Sequence, residues 1–429
     1  MITLHNENLS QIANEHGLSE GEIERESALL GTYLKQIHQR KQGFYSIIED
    51  ESLLEKVNSF AANAEGKYDH FVVLGIGGSS LGTICLQQSL THLYAKPRLF
   101  VLDNIDPVMM NEIQDVIQLE RTLFIVVTKS GGTPETLSEY MYFRNLCNNA
   151  DLDPKEHFVF ITDPENGFLR KTANDEGIIS FEVPPNVGGR FSVLTHVGLL
   201  PARLIGLKVE ELLKGANAMK ELFLSDNPEK NLPFKLATIQ YLLAKKGKPM
   251  NVLTPYAQKL IRFADWYRQL LAESVGKKVN NKGEEVNVGI TPINALGATD
   301  QHSQSQLYNE GPNDKLHIFM RVKNMGIETP IPDLYPEEES LNYLKGVTFS
   351  KLIHTEMEGT VQSLTQNDRP NITLEIDKIN EHTLGELFLL FEGATAFLGE
   401  FFNINAFDQP GVELSKQITK KLLSGTFRK

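Results

Sequence analysis

Five short apolar runs recur between residues 71 and 183, and they constrain the fold of this chain more than any other feature. The runs occupy residues 71–76, 99–102, 123–127, 158–161 and 178–183. Longer segments of helix-compatible composition separate them. Strands buried on both faces of a parallel sheet have continuous apolar runs, and the connections between such strands form helices. The pattern therefore predicts a parallel sheet covered by helices on both faces.

A second set of apolar runs follows a helical stretch at about 206–247. These runs occupy residues 251–253, 286–290, 316–322 and 372–376. Since they repeat the first arrangement, we expect an α/β protein with two tandem α/β/α sandwiches. The expected boundaries are a helical segment over 1–60, sandwiches over 61–205 and 206–384, and a helical segment over 385–429 that packs across both.

Charge and composition exclude several classes of protein. The formal net charge is -13, so we expect neither nucleic-acid nor membrane binding, because both favour a basic surface. The two cysteines, Cys85 and Cys147, form no CxxC pair, which is typical of a reducing compartment. The N-terminus has no signal-peptide pattern, and Glu392 and Glu400 interrupt the apolar stretch 387–402. We expect a cytoplasmic protein in which that stretch is a buried helix.

The third apolar run leads directly into a loop rich in hydroxyl groups. Residues 128–136 read Thr-Lys-Ser-Gly-Gly-Thr-Pro-Glu-Thr. Two glycines allow the backbone to close around an anion, and a following helix supplies unpaired N–H groups and the positive end of its dipole. The loop is therefore a candidate phosphate site, with Thr128, Ser130, Thr133 and Lys129 as its side chains.

A glycine-rich turn follows the first apolar run. It reads Gly75-Ile76-Gly77-Gly78-Ser79-Ser80-Leu81-Gly82. A dinucleotide motif would need glycine at position 80, where serine stands, and the acidic Asp103 after the next run is only weak support. No Gly-Lys-Ser/Thr sequence completes a nucleoside-triphosphate loop. The turn either binds a small ligand at the sheet edge or binds nothing. The hydroxyl-rich loop on the same sheet favours a ligand.

Two further segments carry groups suited to proton-transfer chemistry. Residues 188–192 read Gly-Gly-Arg-Phe-Ser, where Arg190 could bind an oxyanion or could be an ordinary surface arginine. Glu273 is expected near the end of a helix, where the negative end of the dipole makes a carboxylate more basic. The alternative for Glu273 is a solvated surface group.

Polar side chains surround His302, in the run Asp-Gln-His-Ser-Gln over residues 300–304. A single histidine is more often structural than catalytic, but this one has no apolar neighbours. The histidines show no metal-ligand spacing, so metal chemistry is not indicated. Near the end of the chain, Pro410 suits a first helical turn and Lys416 lies about two turns beyond Gln409. From these residues alone, a capped surface helix is the default interpretation of this segment.

Taken together and in this order, these motifs resemble the glucose-6-phosphate isomerase family in its short bacterial form, over about residues 70–420. The Gly-Gly-Arg motif and the segment from Asp408 to Lys416 are its specific signatures. The resemblance implies two sugar-isomerase-type (SIS) sandwiches. It also implies interconversion of glucose 6-phosphate and fructose 6-phosphate, in glycolysis and gluconeogenesis, through ring opening and a cis-enediolate.

The resemblance also implies roles for individual residues. Glu273 matches the base, Arg190 the enediolate-stabilising residue, His302 the ring-opening histidine, and Lys416 the lysine that assists it. The implied substrate- and phosphate-binding residues are Gly78, Ser79, Thr128, Lys129, Ser130, Thr133, Glu135, Gly189 and Gln409. Pro185 and His196 flank the Gly-Gly-Arg motif where polar or small residues are more usual in the family.

The implied partner is a small sugar phosphate, with no cofactor and no metal, in a homodimer whose active site both subunits share. Two alternatives remain open from the sequence. A dual enzyme could also accept mannose 6-phosphate, since the same base and enediolate serve both sugars. A non-catalytic sugar-phosphate sensor could use the same fold, although it would not need Glu273, Arg190, His302 and Lys416 together.

Overall fold

The computed structural model describes residues 2–425 of the chain. It begins with a short strand and three helices. Their bounds are β1 (Thr3–His5), α1 (Glu20–Ser27), α2 (Leu30–Gln39) and α3 (Glu51–Ala64). The segment expected to be helical therefore also contributes a strand. β1 pairs antiparallel with a strand more than 360 residues later, around Leu374.

The first sheet has five parallel strands: β2 (His70–Leu74), β3 (Arg98–Leu102), β4 (Thr122–Thr128), β5 (Phe158–Thr162) and β6 (Ser180–Glu182). Their order across the sheet is β3-β2-β4-β5-β6. The helices are α4 (Leu81–Leu90), α5 (Pro107–Val116), α6 (Pro134–Asn149), α7 (Pro154–His157), α8 (Phe168–Glu176) and α9 (His196–Leu204). The strand order reverses between β2 and β4. At such a point the connections leave on opposite faces and open a crevice at the carboxyl edge.

The second sheet joins β1 to four later strands: β7 (Met250–Pro255), β10 (Thr291–Asn294), β11 (Lys315–Val322) and β12 (Asn371–Ile376). Their order is β1-β12-β11-β7-β10, and all pairs except β1-β12 are parallel. The associated helices are α10 (Val209–Phe223), α11 (Leu232–Lys245), α12 (Ile261–Val275), α13 (Ser305–Glu310) and α14 (Phe349–Gln366). The expectation of an α/β protein with two mainly parallel sheets is confirmed.

One expected strand of the second sheet lies elsewhere. Residues 286–290 were expected in that sheet, but β9 (Glu285–Val288) forms a separate antiparallel hairpin with β8 (Lys277–Val279). The turn between them contains Gly283 at φ +81°, a conformation that favours glycine and closes a hairpin. The edge strand of the sheet is instead β10, which begins three residues after β9 ends.

The two sheets share a helical layer built around α15 (Glu381–Phe401), which is buried over almost its whole length. α15 packs on α10, where Gly215 and Gly385 allow close approach. A Cβ on Gly385 would lie 1.9 Å from the Leu212 carbonyl oxygen. Trp266 of α12 meets Phe388 edge to face at 4.7 Å. The prediction of a buried helix here is confirmed, and no helix among residues 2–425 is long and apolar enough to cross a bilayer.

The last helix, α16 (Glu413–Leu423), has no buried residue. The segment expected to be helical over 385–429 is interrupted at residues 402–412, which form a loop and a single 3-10 turn at Pro410–Val412. Asn403 adopts φ +53° at the end of α15, which ends the helix. This break returns the chain to the first sheet, where the loop contributes to the site described below.

An ion pair ties the N-terminal helices to the second sandwich. The Glu22 carboxylate in the first turn of α1 lies 2.7 Å from Lys246 Nζ and accepts a hydrogen bond from the Ser19 N–H at 2.9 Å. The hydrogen bonds from Lys246 and Ser19 lower the pKa of Glu22 from its ordinary 4.5 to about 2. The stabilisation is therefore complete above pH 4.5 and is lost as the pH falls through the folded-state value.

Replacing Glu22 by Gln is expected to lower the free energy of unfolding by about 1 kcal/mol at pH 7, since a partly exposed charged pair is lost. Urea unfolding at pH 7 and at about pH 3.5 measures this difference, which should narrow at the lower pH. Glu24→Gln is the control, because Glu24 is exposed on the same helix and makes no ion pair within residues 2–425. Equal effects of the two substitutions would contradict the assignment.

Candidate functional site

Two glycine-containing loops meet at the carboxyl edge of the first sheet. The 3-10 turn Gly77–Ser79 follows β2, and the 3-10 turn Gly189–Phe191 precedes α9. A Cβ on Gly78 would lie 2.3 Å from the Gly189 carbonyl carbon, and real Cβ atoms do not approach backbone so closely. Ser192 Oγ donates to the Gly189 carbonyl at 2.7 Å. Glycine at position 78 therefore allows the two loops to pack in contact.

The hydroxyl groups after β4 converge as their sequence predicts. Thr128 Oγ1 lies 2.7 Å from Thr133 Oγ1 and 3.4 Å from Ser130 Oγ, and the Gly132 N–H donates to Ser130 Oγ at 3.3 Å. Gly131 has φ +64°, which closes the loop. α6 starts immediately afterwards with proline in its first turn. Its first N–H groups have no partner within the helix and point toward the loop.

Thr136 is a further hydroxyl in this region that the sequence interpretation did not assign. Its Oγ1 is buried and has no hydrogen-bond partner within residues 2–425. The sequence signal was its place in the first turn of α6, beside the half-buried Glu135. Ser79 is also half-buried, at the end of the turn after β2. The crevice between β2 and β4 is thus lined by hydroxyls from both strand ends.

Lys129 was grouped with these hydroxyls, but the structure directs its ammonium elsewhere. Nζ donates to the carbonyls of Pro185 and Val187 at 2.9 and 2.8 Å. Burial lowers the pKa of Lys129. Its hydrogen bonds within the described chain are with backbone, and they hold the segment that leads into Gly188.

Pro185 and His196 are the two residues that flank the Gly-Gly-Arg motif and are unusual for the family. Pro185 supplies a carbonyl that accepts from Lys129, and His196 Nδ1 is hydrogen-bonded to the Glu182 carbonyl oxygen at 2.8 Å.

Arg190 is almost completely buried, at 3% exposure. Nε donates to Ser274 Oγ at 2.7 Å, Nη1 to Gln409 Oε1 at 2.9 Å, and Nη2 to the carbonyls of Ala406 and Asp408 at 2.6 and 3.0 Å. Burial lowers the pKa of the guanidinium, and the nearby carboxylates oppose this effect. The cation is therefore fixed in one orientation by α12 and by the loop after α15.

Glu273 lies beside this guanidinium near the C-terminal end of α12. Its Oε2 is 3.5 Å from Arg190 Nη1, and its Oε1 accepts a hydrogen bond from Gln269 Nε2 at 3.1 Å. The side chain is 33% exposed, whereas that of Arg190 is 1% exposed. Gln269 also contacts the turn after β2, since a Cβ on Gly77 would lie 2.8 Å from its Nε2. The structure thus brings a solvent-accessible carboxylate, a buried cation and the glycine turn together.

Lys277 is a functional candidate that the sequence interpretation did not assign. It lies four residues after Glu273, at the start of β8, and is 8% exposed. Nζ donates to the carbonyls of Glu273 and Asp408, at 2.6 and 2.9 Å. Burial and the neighbouring Arg190 lower its pKa. The Asp408 carbonyl therefore accepts from two cations, which tie the C-terminal loop to the helix that carries Glu273.

Glu139 is a buried acidic residue of α6, one helical turn after Glu135. Burial, with the nearby acids Asp103 and Glu135, raises the pKa of Glu139 to about 8. At neutral pH its carboxyl group is therefore mostly protonated. This protonation leaves less negative charge near the N-terminal end of α6, where the hydroxyl loop lies.

Two predicted catalytic residues are not brought to this cluster. His302 ends the 3-10 turn Thr299–His302 after β10 and is exposed, and its side chain makes no hydrogen bond or ion pair within residues 2–425. Lys416 lies on α16 with 60% of its side chain exposed, and its partner is Glu413 at 2.8 Å. Gln409, from the same segment as Lys416, does reach Arg190. Within the single chain, Glu273, Arg190 and Gln409 therefore lie together, whereas His302 and Lys416 lie apart from them.

Replacing Gly78 by Ala is expected to destabilise the protein by about 1–3 kcal/mol, because the new Cβ meets backbone that cannot move freely. Gly189→Ala is the matched control, since a Cβ there would meet no atom within 4 Å, and the expected change is within about 0.5 kcal/mol. The midpoint of urea unfolding measures both. A Gly189 variant as unstable as the Gly78 variant would show that the close approach of the two loops is not responsible.

Comparison of the sequence with those of known proteins shows the family to which the chain is related. The sequence model of the family described as phosphoglucose isomerase matches residues 49–427. The glucose-6-phosphate isomerase of Carboxydothermus hydrogenoformans is 43% identical over 422 residues, which cover 95% of this chain and 91% of the relative. That of Rubrobacter xylanophilus is 38% identical and covers 97% of each chain.

Solved structures show the same fold. The crystal structure of a hypothetical protein from Thermus thermophilus superposes with a TM-score of 0.90 at 33% identity, covering 99% of this chain and 100% of the other. A glucose-6-phosphate isomerase from Chlamydia trachomatis superposes with a TM-score of 0.84 at 22% identity, covering 99% and 88%. Because the family model and the relatives cover most of its length, this chain belongs to the phosphoglucose isomerase family.

Proposed function

We propose that this protein interconverts glucose 6-phosphate and fructose 6-phosphate, the activity for which its relatives are named. The observation that carries the proposal is the pairing of the Glu273 carboxylate with the buried Arg190 guanidinium, at 3.5 Å. The pair lies beside a hydroxyl-lined crevice at the switch point of a parallel sheet. A carboxylate that reaches solvent next to a fixed cation suits removal of a proton from carbon while negative charge develops on oxygen.

The phosphate end of the substrate would bind in the hydroxyl loop. Thr128, Ser130 and Thr133 offer hydroxyl groups within 3.5 Å of one another, and Ser79 offers another from the facing turn. The first N–H groups of α6 add donors and the positive end of the helix dipole. These groups hold the anion and do not react.

The reacting end would lie against Glu273. After the sugar ring opens, the carboxylate takes the C2 proton of the aldose and returns it to C1, and the oxygen proton moves from O2 to O1. The reaction has no net redox change, so its balance calls for neither a nicotinamide nor a metal. A positioned general base contributes roughly 10²- to 10⁴-fold to the rate.

Arg190 would stabilise the enediolate that forms between these proton transfers. Its four hydrogen bonds fix the guanidinium before substrate arrives, so little reorganisation is needed as charge develops. Lys277 would act as a positioning residue, because its contacts are with the Glu273 and Asp408 carbonyls. The sugar is therefore held between α12, the hydroxyl loop and the loop that carries Gln409.

Replacing Glu273 by Gln is expected to lower kcat at least about 100-fold while glucose 6-phosphate still binds, because the amide keeps the shape but cannot accept the proton. A coupled assay gives kcat, and calorimetry gives binding. Glu284→Gln, on the exposed hairpin turn, is the control and should leave kcat unchanged. Near-normal turnover in the Glu273 variant would refute its role as the base.

A second copy of the chain would supply the ring-opening histidine. His302 is exposed, has no side-chain partner within residues 2–425, and follows β10 of the second sheet, while Glu273 and Arg190 face the first. In a homodimer with shared sites, each His302 would enter the site of the other subunit. Lys416 would complete the site after movement of α16, a helix with no buried residue in the single chain.

Co-expression of Glu273→Gln and His302→Ala chains tests this sharing, since hybrid dimers would contain one site with both substitutions and one intact site. Random assortment is then expected to restore about a quarter of wild-type activity. Each variant expressed alone is the control and should be nearly inactive. If mixed preparations show no more activity than the separate variants, His302 acts within its own chain and the shared-site proposal is wrong.

A further inference from the structure

A large cavity lies not at the hydroxyl loop but at the opposite edge of the first sheet. It has a volume of about 770 Å³ and is lined where β2 and β3 begin, by the end of α3 and by the end of α9. The strands between the two edges span roughly 16 Å. Neither the glycine turns nor the groups around Glu273 line this cavity, so it is separate from the proposed catalytic site.

Three cationic side chains line the cavity: Lys96, Arg98 and Arg203. The side chains of Lys96 and Arg98 make no hydrogen bond or ion pair within residues 2–425. Arg203 donates from Nε to Asn58 Oδ1 at 2.8 Å, which leaves its two terminal nitrogens without an acceptor in the described part of the chain. The chain has a net charge of -13, so three such cations in one recess form a local positive site in an otherwise acidic protein.

The acidic residues of the lining do not cancel this charge. Asp69 is engaged by Arg121, whose Nε and Nη2 donate to its two carboxylate oxygens at 3.0 and 3.1 Å. Arg121 itself does not line the cavity. Glu65, the other acidic lining residue, is exposed and pairs with none of the three cations. The recess is therefore left with a surplus of positive charge.

Polar groups on the wall offer further hydrogen bonds. Gln118 and His70 both line the cavity, and His70 Nδ1 is buried without a partner within the described residues. Small-molecule sites typically have volumes of about 300–1,000 Å³ and a few convergent polar groups. The volume is far more than a single inorganic ion needs, and guanidinium groups match the geometry of phosphoryl and carboxylate oxygens.

We propose that this cavity binds a small organic anion with at least two negative charges, carried as phosphoryl or carboxylate groups. Lys96 and Arg98 at the start of β3 and Arg203 at the end of α9 contact the anionic groups. The site is distinct from the one that binds the sugar phosphate substrate.

Isothermal titration calorimetry with inorganic pyrophosphate and with citrate tests the proposal. To remove binding at the hydroxyl loop, the titrations use the full-length chain with Thr128, Ser130 and Thr133 replaced by Ala. In this background at least one probe should bind, and Lys96→Gln with Arg98→Gln should weaken it by about tenfold or more. If pyrophosphate binds more tightly, the site prefers phosphoryl groups; if citrate binds more tightly, it prefers carboxylate groups.

Lys35→Gln with Lys67→Gln is the matched control, because it removes the same charge from exposed residues outside the cavity and should leave binding unchanged. In the otherwise wild-type chain, the Lys96 and Arg98 substitutions should leave isomerase turnover intact, which also verifies folding. If the double variant is poorly folded, Lys96→Gln alone replaces it. Failure of both probes to bind, or equal weakening by the control pair, overturns the cavity proposal without bearing on the isomerase activity.

Discussion

The hydrogen bonds of Arg190 are the interactions on which the rest of the site depends. One buried guanidinium joins Ser274 on α12 to the carbonyls of Ala406 and Asp408 and to the Gln409 side chain. These groups come from parts of the chain more than 130 residues apart. A buried cation without such acceptors would be very costly. Burial of Arg190 therefore requires α12, which carries Glu273, and the C-terminal loop to be in place.

The arrangement of the two sheets brings the parts of this site together. The first sheet brings the turn after β2 and the hydroxyl loop after β4 to either side of its switch point, so an anion can be held at one end of the crevice. The shared helical layer around α15 fixes α12 between the two sheets, which sets Glu273 at the other end. Lys277 and Lys129 then hold backbone carbonyls near the site. Both lysines lie close to the proposed site, and their hydrogen bonds are with backbone carbonyls.

The fold class and most strands could be predicted from the sequence, because strands buried on both faces have continuous apolar runs that are visible locally. The sequence did not predict β1, whose three residues pair with a strand more than 360 residues away. It misplaced residues 286–290, since the apolar pattern alone does not distinguish a hairpin from a sheet edge. The residue types around Glu273 and Arg190 were identified from motifs. The contacts of Lys129 with the Pro185 and Val187 carbonyls and of Lys277 with the Asp408 carbonyl were not, because the local sequence does not indicate which distant backbone groups lie nearby. The cationic cavity was missed for the same reason.

The central claim is that a carboxylate moves a proton between C1 and C2 of a sugar phosphate. Its most direct test is to equilibrate glucose 6-phosphate with the protein in heavy water, without added metal or nicotinamide, and to measure deuterium at C2 by NMR. Proton transfer through Glu273 predicts that deuterium enters C2 of glucose 6-phosphate and C1 of fructose 6-phosphate. Because the Glu273 side chain is 33% exposed, its proton is expected to exchange with solvent over many turnovers. Full equilibration of the two sugars with no deuterium incorporated would instead indicate direct hydride transfer between C2 and C1, and would contradict the account.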